Sequence, residues 1–243
     1  MAENSLGPLV LAGSGEYTTA MDVVDTFLIE HAAGREVVLI ATSCAQEGAD
    51  VMTKWEQMGV AHFRRLGIDS VPVRIKDRDD ADVAEHAERI AEAGLIWFSG
   101  GSPVYLAQAF HETASWLALE AANRRGAAVA GSSGGLGVLN AHLLNADTQG
   151  PTALGLAAPV RALAHFDRAE QRRPEFVERV VGSLQPGQMA IGVDEDTAVV
   201  WAEGAWRVMG RQRAVLFKDG ERIAYRHDEV IADLPPPERA STP

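Results

Sequence analysis

Up to about residue 140 the chain alternates two hydrophobic patterns. Leu9–Ala12, Val37–Ala41, Val71–Ile75, Leu95–Phe98 and Ala127–Ala130 are short apolar runs rich in Val, Ile and Leu, which reads as strands buried on both faces. The stretches between them have helical spacing. Asp79–Ala93 opens on the acidic turn of Asp79, Asp80 and Asp82, puts Val83, Ala87, Ile90 and Ala91 on one face, and stops at Gly94. Pro103–Arg125 follows Ser102, a good N-cap with proline in the first turn, and runs into Arg124-Arg125-Gly126, which suits a helix C-terminus. Strands alternating with helices predict right-handed crossovers and an α/β fold: a mostly parallel sheet with helices on both faces.

The pattern then changes. Ala146–Pro159 is punctuated by Gly and Pro and reads as a loop. Val160–Phe166 reads as a strand, and a polar helix follows from about Pro174 to Val181. Met189–Val193, Ala198–Trp201, Trp206–Val208 and Val215–Lys218 read as short strands joined by turns such as Glu203-Gly204 and Asp219-Gly220. Short antiparallel C-terminal strands are therefore expected beside the α/β core. With no repeat and no linker, residues 1–233 read as one domain. Leu234–Pro243, with three consecutive prolines, reads as a frayed tail.

Composition narrows the partners. Among 243 residues, 34 Asp and Glu stand against 22 Lys and Arg, a net charge of −12, and no block of basic residues occurs. Neither nucleic acid nor an anionic membrane surface is an expected partner. One cysteine, Cys44, excludes an intramolecular disulfide framework and any multi-cysteine zinc site. The start MAENSLGPLVLAGSG lacks a basic n-region, and no stretch approaches the ~20 apolar residues of a membrane span. A cytoplasmic protein is expected.

The strongest chemical signal is Gly131-Ser132-Ser133-Gly134-Gly135, between the strand Ala127–Ala130 and an expected helix Leu136–Leu144. It matches G-x-S-x-G, in which a serine sits on a sharp strand-to-helix turn that only flanking glycines permit. The same pattern is also compatible with a plain connection or a phosphate-holding turn. Trp97-Phe98-Ser99-Gly100-Gly101-Ser102-Pro103 is a second strand, double glycine and helix start. In a parallel sheet it falls on the same edge as Ser133, so a Gly100 or Gly101 amide becomes a candidate second oxyanion donor beside the Gly134 N–H.

Seven histidines compete for the role of base. His31, His62, His86 and His111 lie on expected helices, and His142 lies behind the Ser133 turn, pointing away from it. His165 ends the apolar run Val160–Ala164 at a strand edge, and His227 belongs to the late strands. For an orienting acid, Gly192-Val193-Asp194-Glu195-Asp196-Thr197 offers three carboxylates after an apolar strand, and Asp147 offers another. Strand alternation puts Glu195 opposite both Asp194 and Asp196, without saying which face is the cleft.

Gly131–Gly135, His165-Phe166 and Gly192–Ala198, in this order and rough spacing, resemble the cyanophycinase/dipeptidase E family of serine peptidases. Phe98–Gly101 resembles that family's strand ending in a double glycine, and Leu11–Glu16 its glycine-rich first turn. The resemblance covers roughly residues 8 to 215. It implies a flavodoxin-like, class I glutamine amidotransferase-like fold and a possible homodimer, with Ser133 as nucleophile, His165 as base, Glu195 as acid, and the Gly101 and Gly134 amides as oxyanion hole. The chain departs from the family at Ser133-Gly134-Gly135-Leu136, where Ser-Ala-Gly-Ala is usual. It also has Ser102-Pro103 where polymer-degrading members carry Asp-Gln, and Asp167–Glu170 does not keep their basic run in register. The resemblance thus implies acyl transfer but not recognition of a β-Asp-Arg polymer.

The resulting expectation is a serine peptidase acting on a small peptide or isopeptide, requiring no metal or organic cofactor. Glu16, Gly100, Ser102 and Arg168 are the candidate substrate-binding residues, all beside turns at the ligand-binding edge, with Glu16 and Arg168 expected to read a charged group. Rival readings are an α/β-hydrolase using Ser133, Asp194 and His227 in that chain order, and a non-catalytic member that binds a ligand in the same cleft. A glutamine amidotransferase proper needs cysteine at the Ser133 turn, and Cys44 has no flanking glycine. A Rossmann reading of Gly13-Ser14-Gly15-Glu16 lacks the third glycine.

Overall fold

The computed structural model describes residues 6–34, 36–140, 154–157 and 160–237. In chain order the first half forms β1 (Leu9–Ala12), α1 (Asp22–His31), β2 (Val37–Ile40), α2 (Ala49–Arg65), β3 (Ser70–Pro72), α3 (Arg78–Ala81) and α4 (Ala84–Glu92). It continues through β4 (Leu95–Phe98), α5 (Pro103–Phe110), α6 (Ala114–Arg124), β5 (Ala128–Ser132) and α7 (Gly134–Leu139). The second half forms β6 (Arg161–Leu163), α8 (Phe166–Arg172), α9 (Pro174–Gly182), β7 (Met189–Val193), β8 (Thr197–Ala202), β9 (Ala205–Gly210), β10 (Arg213–Lys218) and β11 (Glu221–Arg226).

A seven-stranded sheet has the order β3-β2-β4-β5-β1-β8-β9. Its first five strands are parallel, as the uniformly apolar runs predict, and β8 and β9 add to β1 in antiparallel fashion. Alternate strand residues serve opposite layers. Leu9, Ile96 and Phe98 pack with Leu106, Leu119 and Leu136 of α5, α6 and α7. Val10, Leu39 and Trp97 pack with Val24, Leu28 and Phe63 of α1 and α2.

Register is what builds the site. Ala12 lies level with Ser132, Gly131 with Phe98, and Phe98 with Ile40. The turns that follow β1, β2, β4 and β5 therefore open on one carboxyl-end edge, where doubly wound sheets bind ligands.

The C-terminal strands are not a single antiparallel addition. β8 and β9 extend the main sheet, whereas β11-β10-β7-β6 form a second sheet in which β6 runs parallel to β7. One face of this sheet sends Ile191, Val193 and Leu216 into the main core. The other packs Leu163, Val215 and Phe217 against Phe166 of α8 and Val177 and Val180 of α9.

Two expected helices are each broken in two. Acids at the start of this stretch take backbone N–H groups: Asp77 accepts from the Asp80 N–H at 3.0 Å, and Asp82 accepts at 2.8 Å from the N–H of Ala114, 32 residues along the chain. Short carboxylates compete in this way with the helical ladder, which stops at Ala81 and restarts at Ala84. In 103–125 the break falls at Glu112 (φ 57°), after which Thr113 caps α6. The expected strand Val160–Phe166 shortens to β6 because His165 turns left-handed and Phe166 starts a helix. The expected tail is packed at its start: Leu234 is buried, and Trp206 Nε1 donates to the Pro235 carbonyl at 2.7 Å. Residues 238–243 lie outside the described residues. Among the described residues no helix is long and apolar enough to cross a membrane.

A polar knot lies inside the α1–α2 layer. Fully buried Asp25 accepts from Trp97 Nε1 at 2.7 Å and is 2.8 Å from His62 Nε2. Arg65 donates to His62 Nδ1 at 3.1 Å, so the ring proton sits on Nε2, facing Asp25. Burial pushes the Asp25 carboxyl up, with the His62 and Trp97 contacts pulling against it. Removing a buried partner leaves the other groups desolvated and unpaired. Asp25→Ala should therefore lower unfolding free energy by about 3–5 kcal/mol. In urea the midpoint should fall with an unchanged slope. A loss below about 1 kcal/mol would remove this knot from the account.

Candidate active site

β5 ends at Ser132 and α7 begins at Gly134, so Ser133 alone makes the connection. Its backbone is held at φ 51°, ψ −107°, a region non-glycine residues rarely occupy. Two backbone bonds hold it there: its N–H donates to Ala12 O at 3.0 Å, and its carbonyl accepts from Gly137 N at 3.1 Å. A side chain at Gly131 would collide with the Gly135 carbonyl, and one at Gly134 with the Gly101 carbonyl. The glycines of the motif are thus demanded by close approach, and the Ser133 turn lies directly against the turn after β4.

His165 arrives from the second sheet. It is the left-handed N-cap of α8 (φ 49°, ψ 42°), seated by buried Phe166, and its N–H reaches Gly13 O at 3.3 Å. Its Nε2 lies 2.9 Å from Ser133 Oγ and its Nδ1 lies 2.7 Å from Glu195 Oε1. When Glu195 is ionised it only accepts hydrogen bonds, so the proton belongs on Nδ1 and Nε2 is left to accept from the serine hydroxyl.

Of the three acids between β7 and β8, only Glu195 faces His165. Asp194 is buried and turned to Arg213 Nε at 2.9 Å, and burial pushes its carboxyl up while Arg213 pulls against it. Asp196 takes the left-handed turn position (φ 53°). Glu195 is fixed at four points. Its N–H donates to Asp167 Oδ1 at 3.0 Å, and its carbonyl accepts from Gln212 Nε2 at 2.9 Å. Its Oε1 meets His165, and its Oε2 lies 2.8 Å from Arg168. Asp167 and Gln212 were not singled out from the sequence. Asp167 could have been found beside His165-Phe166, whereas Gln212 is brought in only by the β9–β10 turn.

The model for peptidase family S51 matches residues 9–209. The chain belongs to that family. It is 22% identical over 240 residues to the cyanophycinase of Trichormus variabilis, covering 93% of this chain and 78% of that protein. It is 21% identical over 244 residues to the cyanophycinase of Geminocystis herdmanii, covering 93% and 86%. The crystal structure of a peptidase from an acI-B1 Actinobacterium superposes with a TM-score of 0.86 at 31% identity, covering 94% of this chain and 97% of that one. This is a serine-type peptidase with the fold of its S51 relatives.

Three of the expected substrate-binding residues are engaged inside the protein. Glu16 is 5% exposed, and its oxygens are engaged by Gly100 N at 3.0 Å and Ser132 Oγ at 2.5 Å. The Gly100 N–H is thereby turned inward and is not available to an oxyanion or a substrate. Ser102 caps α5 by accepting from Tyr105 N at 3.2 Å, and its own N–H bonds Ser43 O at 2.7 Å. Arg168 remains half-exposed, with its guanidinium on Glu195. The rival set does not assemble: His227 Nδ1 accepts from Gly210 N at 3.2 Å, and Asp194 faces Arg213. Asp147 and His142 lie outside the described residues. Among the described residues no group of three or more His, Cys, Asp or Glu is arranged to hold a metal ion.

Cys44 is fully buried, its Sγ donates to Ala41 O at 3.0 Å, and burial pushes the thiol up to about 11. At pH 8 only about one such thiol in a thousand is ionised, and the thiolate is the reactive form. Native protein should therefore resist iodoacetamide through pH 9 and be alkylated fully once unfolded in urea. Rapid native alkylation at pH 8, followed by mass spectrometry, would contradict this placement.

Proposed function

We propose that this S51 peptidase cleaves a small peptide or isopeptide through an acyl-enzyme, with Ser133 as nucleophile, His165 as base and Glu195 as orienting acid. The observation that carries this reading is the unbroken chain from Ser133 Oγ through the His165 ring to Glu195 Oε1, with links of 2.9 and 2.7 Å. A serine hydroxyl attacks carbonyls slowly unless an adjacent base takes its proton as the bond forms.

In this reaction Ser133 Oγ attacks the scissile carbonyl while His165 Nε2 accepts its proton. The imidazolium so formed is stabilised by Glu195 at Nδ1, which also holds the ring in the required tautomer. The negative oxygen of the tetrahedral intermediate is received by the N–H groups of Gly101 and Gly134, a role supported by the close approach of the two glycines' backbones where the turns meet. Collapse expels the amine, which takes the proton from His165. Water then attacks the acyl-Ser133 ester with His165 again as base, returning the free serine and the carboxylic acid.

A short substrate fits the engagement of the expected recognition residues elsewhere. Glu16 and Ser102 are used internally, and Arg168 is shared with Glu195. The departures at Ser102-Pro103 and Asp167–Glu170 also favour a short substrate over a β-Asp-Arg polymer.

The test is hydrolysis of a panel of dipeptides and isopeptides. Ser133→Ala should reduce turnover of every cleaved substrate by about 10⁴ to 10⁶. Glu195→Gln keeps the shape but neither selects the tautomer nor stabilises the imidazolium, and should lower kcat by roughly 10² to 10⁴. Undiminished hydrolysis by Ser133→Ala would remove the nucleophile assignment. A change under tenfold in Glu195→Gln would move the acid elsewhere, with Asp147 as the sequence's other choice.

A further inference from the structure

The buried carboxylate of Glu16 takes no part in acyl transfer, yet it lies close to the nucleophile. A carbon added to Gly100 would fall 3.0 Å from Glu16 Oε1 and 3.7 Å from Ser133 Oγ, so one glycine's width separates them. The two carboxylate oxygens bind different turns: Oε1 takes the Gly100 N–H, 84 residues along the chain, and Oε2 takes the Ser132 hydroxyl, 116 residues along. Ionised acceptors make bonds roughly twice as strong as neutral ones. A carboxylate is also suited to accept from both sides at once.

The turn that carries Glu16 is itself pinned. Gly13 lies so close to the 193–194 backbone that a side chain there would collide with the Asp194 carbonyl, and Gly13 O accepts from His165 N. Thr18 closes the other end, its hydroxyl donating to Gly15 O at 2.7 Å. Next to Glu16, Tyr17 is locked among Trp55, His62, Phe63 and Trp97, and its hydroxyl pairs with Ser99 Oγ at 3.1 Å. Glu16 is thus a fixed post, with the Ser133 turn on one side and the double-glycine turn on the other.

We propose that Glu16 is a positioning residue: its carboxylate clasps the Gly100 amide and the Ser132 hydroxyl, setting the Gly101 donor in register with Ser133 Oγ. The proposal rests on Ser133 being the nucleophile. By holding the Gly100 N–H inward, the clasp fixes one end of Gly100, while the Ser43 hydroxyl donates to the Gly100 carbonyl at 2.7 Å, so that together they orient the following Gly101 amide. By holding Ser132 the clasp fixes the residue before the strained serine. Neither bond touches the substrate, so substrate affinity should be spared while the chemical step is not. An aligned oxyanion donor contributes about 10²- to 10³-fold in rate.

The experiment is saturation labelling with a fluorophosphonate–rhodamine probe, which separates the bonding rate constant, kinact, from the binding constant, KI. Glu16→Ala should lower kinact by about 10²- to 10³-fold, with KI within about threefold. Glu16→Gln should remain within about tenfold of wild type. Its amide oxygen still accepts from Gly100, while its NH2 donates to Ser132 Oγ. Ser132→Ala removes one arm only and should fall between the two. It also carries the test if Glu16→Ala does not fold, as judged by circular dichroism. Unchanged kinact in Glu16→Ala or, where that variant does not fold, in Ser132→Ala would overturn the clasp while leaving the nucleophile intact. A Glu16→Gln loss as deep as that of Glu16→Ala would also overturn it. Wild-type protein left unlabelled at Ser133 would remove the nucleophile, and the positioning role with it.

Discussion

Ser133 occupies a backbone conformation that costs of order 1–3 kcal/mol, and it is retained only because the surrounding structure over-determines it. Strand register brings β1, β4 and β5 to a common edge. The glycines of the 131–135 motif let α7 and the β4 turn close to backbone contact, and the bond to Ala12 O fixes the amide. With that conformation held, Ser133 Oγ projects beyond the end of the sheet. Without it, Ser133 would continue the extended strand and point its side chain to one face of the sheet.

The rest of the candidate site comes from a different layer. His165 and Glu195 sit at the ends of β6 and β7 in the second sheet, and they meet Ser133 because one face of that sheet is buried in the main core. Packing, not chain proximity, therefore sets the 2.9 Å serine–histidine distance. Fixing Glu195 at four points serves the same end, since the reaction is sensitive to small misplacements of reacting groups. The ionisable groups the sequence offered for substrate recognition are largely consumed in this work.

The parallel core was legible because a strand buried on both faces must be apolar throughout, as Leu95–Phe98 is. Ser133 was legible because close backbone approach demands glycine, which is visible residue by residue. His165 stood out as a histidine at the end of an apolar run. Glu195 was selected from three carboxylates only by family resemblance, because alternation separates faces without saying which is the cleft. What escaped was set by tertiary contact. Glu16 is ionisable and lies on the right edge, but nothing local says that Gly100 and Ser132 will bury it. The helix breaks at Asp82 and Glu112 follow from capping bonds that compete with regular helical spacing. Strand β11 escaped because Glu221–Arg226 is largely exposed and carries charges at both ends.

The central claim is that two turns and one imidazole, brought together by register and sheet packing, form a single acyl-transfer site. A crystal structure of the protein after reaction with a fluorophosphonate tests this most directly. Phosphorus should be bound to Ser133 Oγ, with its non-bridging oxygen within hydrogen-bond distance of both the Gly101 and Gly134 amides. The His165 ring should still bridge to Glu195. Phosphorus on any other side chain, or a phosphonyl oxygen facing solvent away from both amides, would contradict the account.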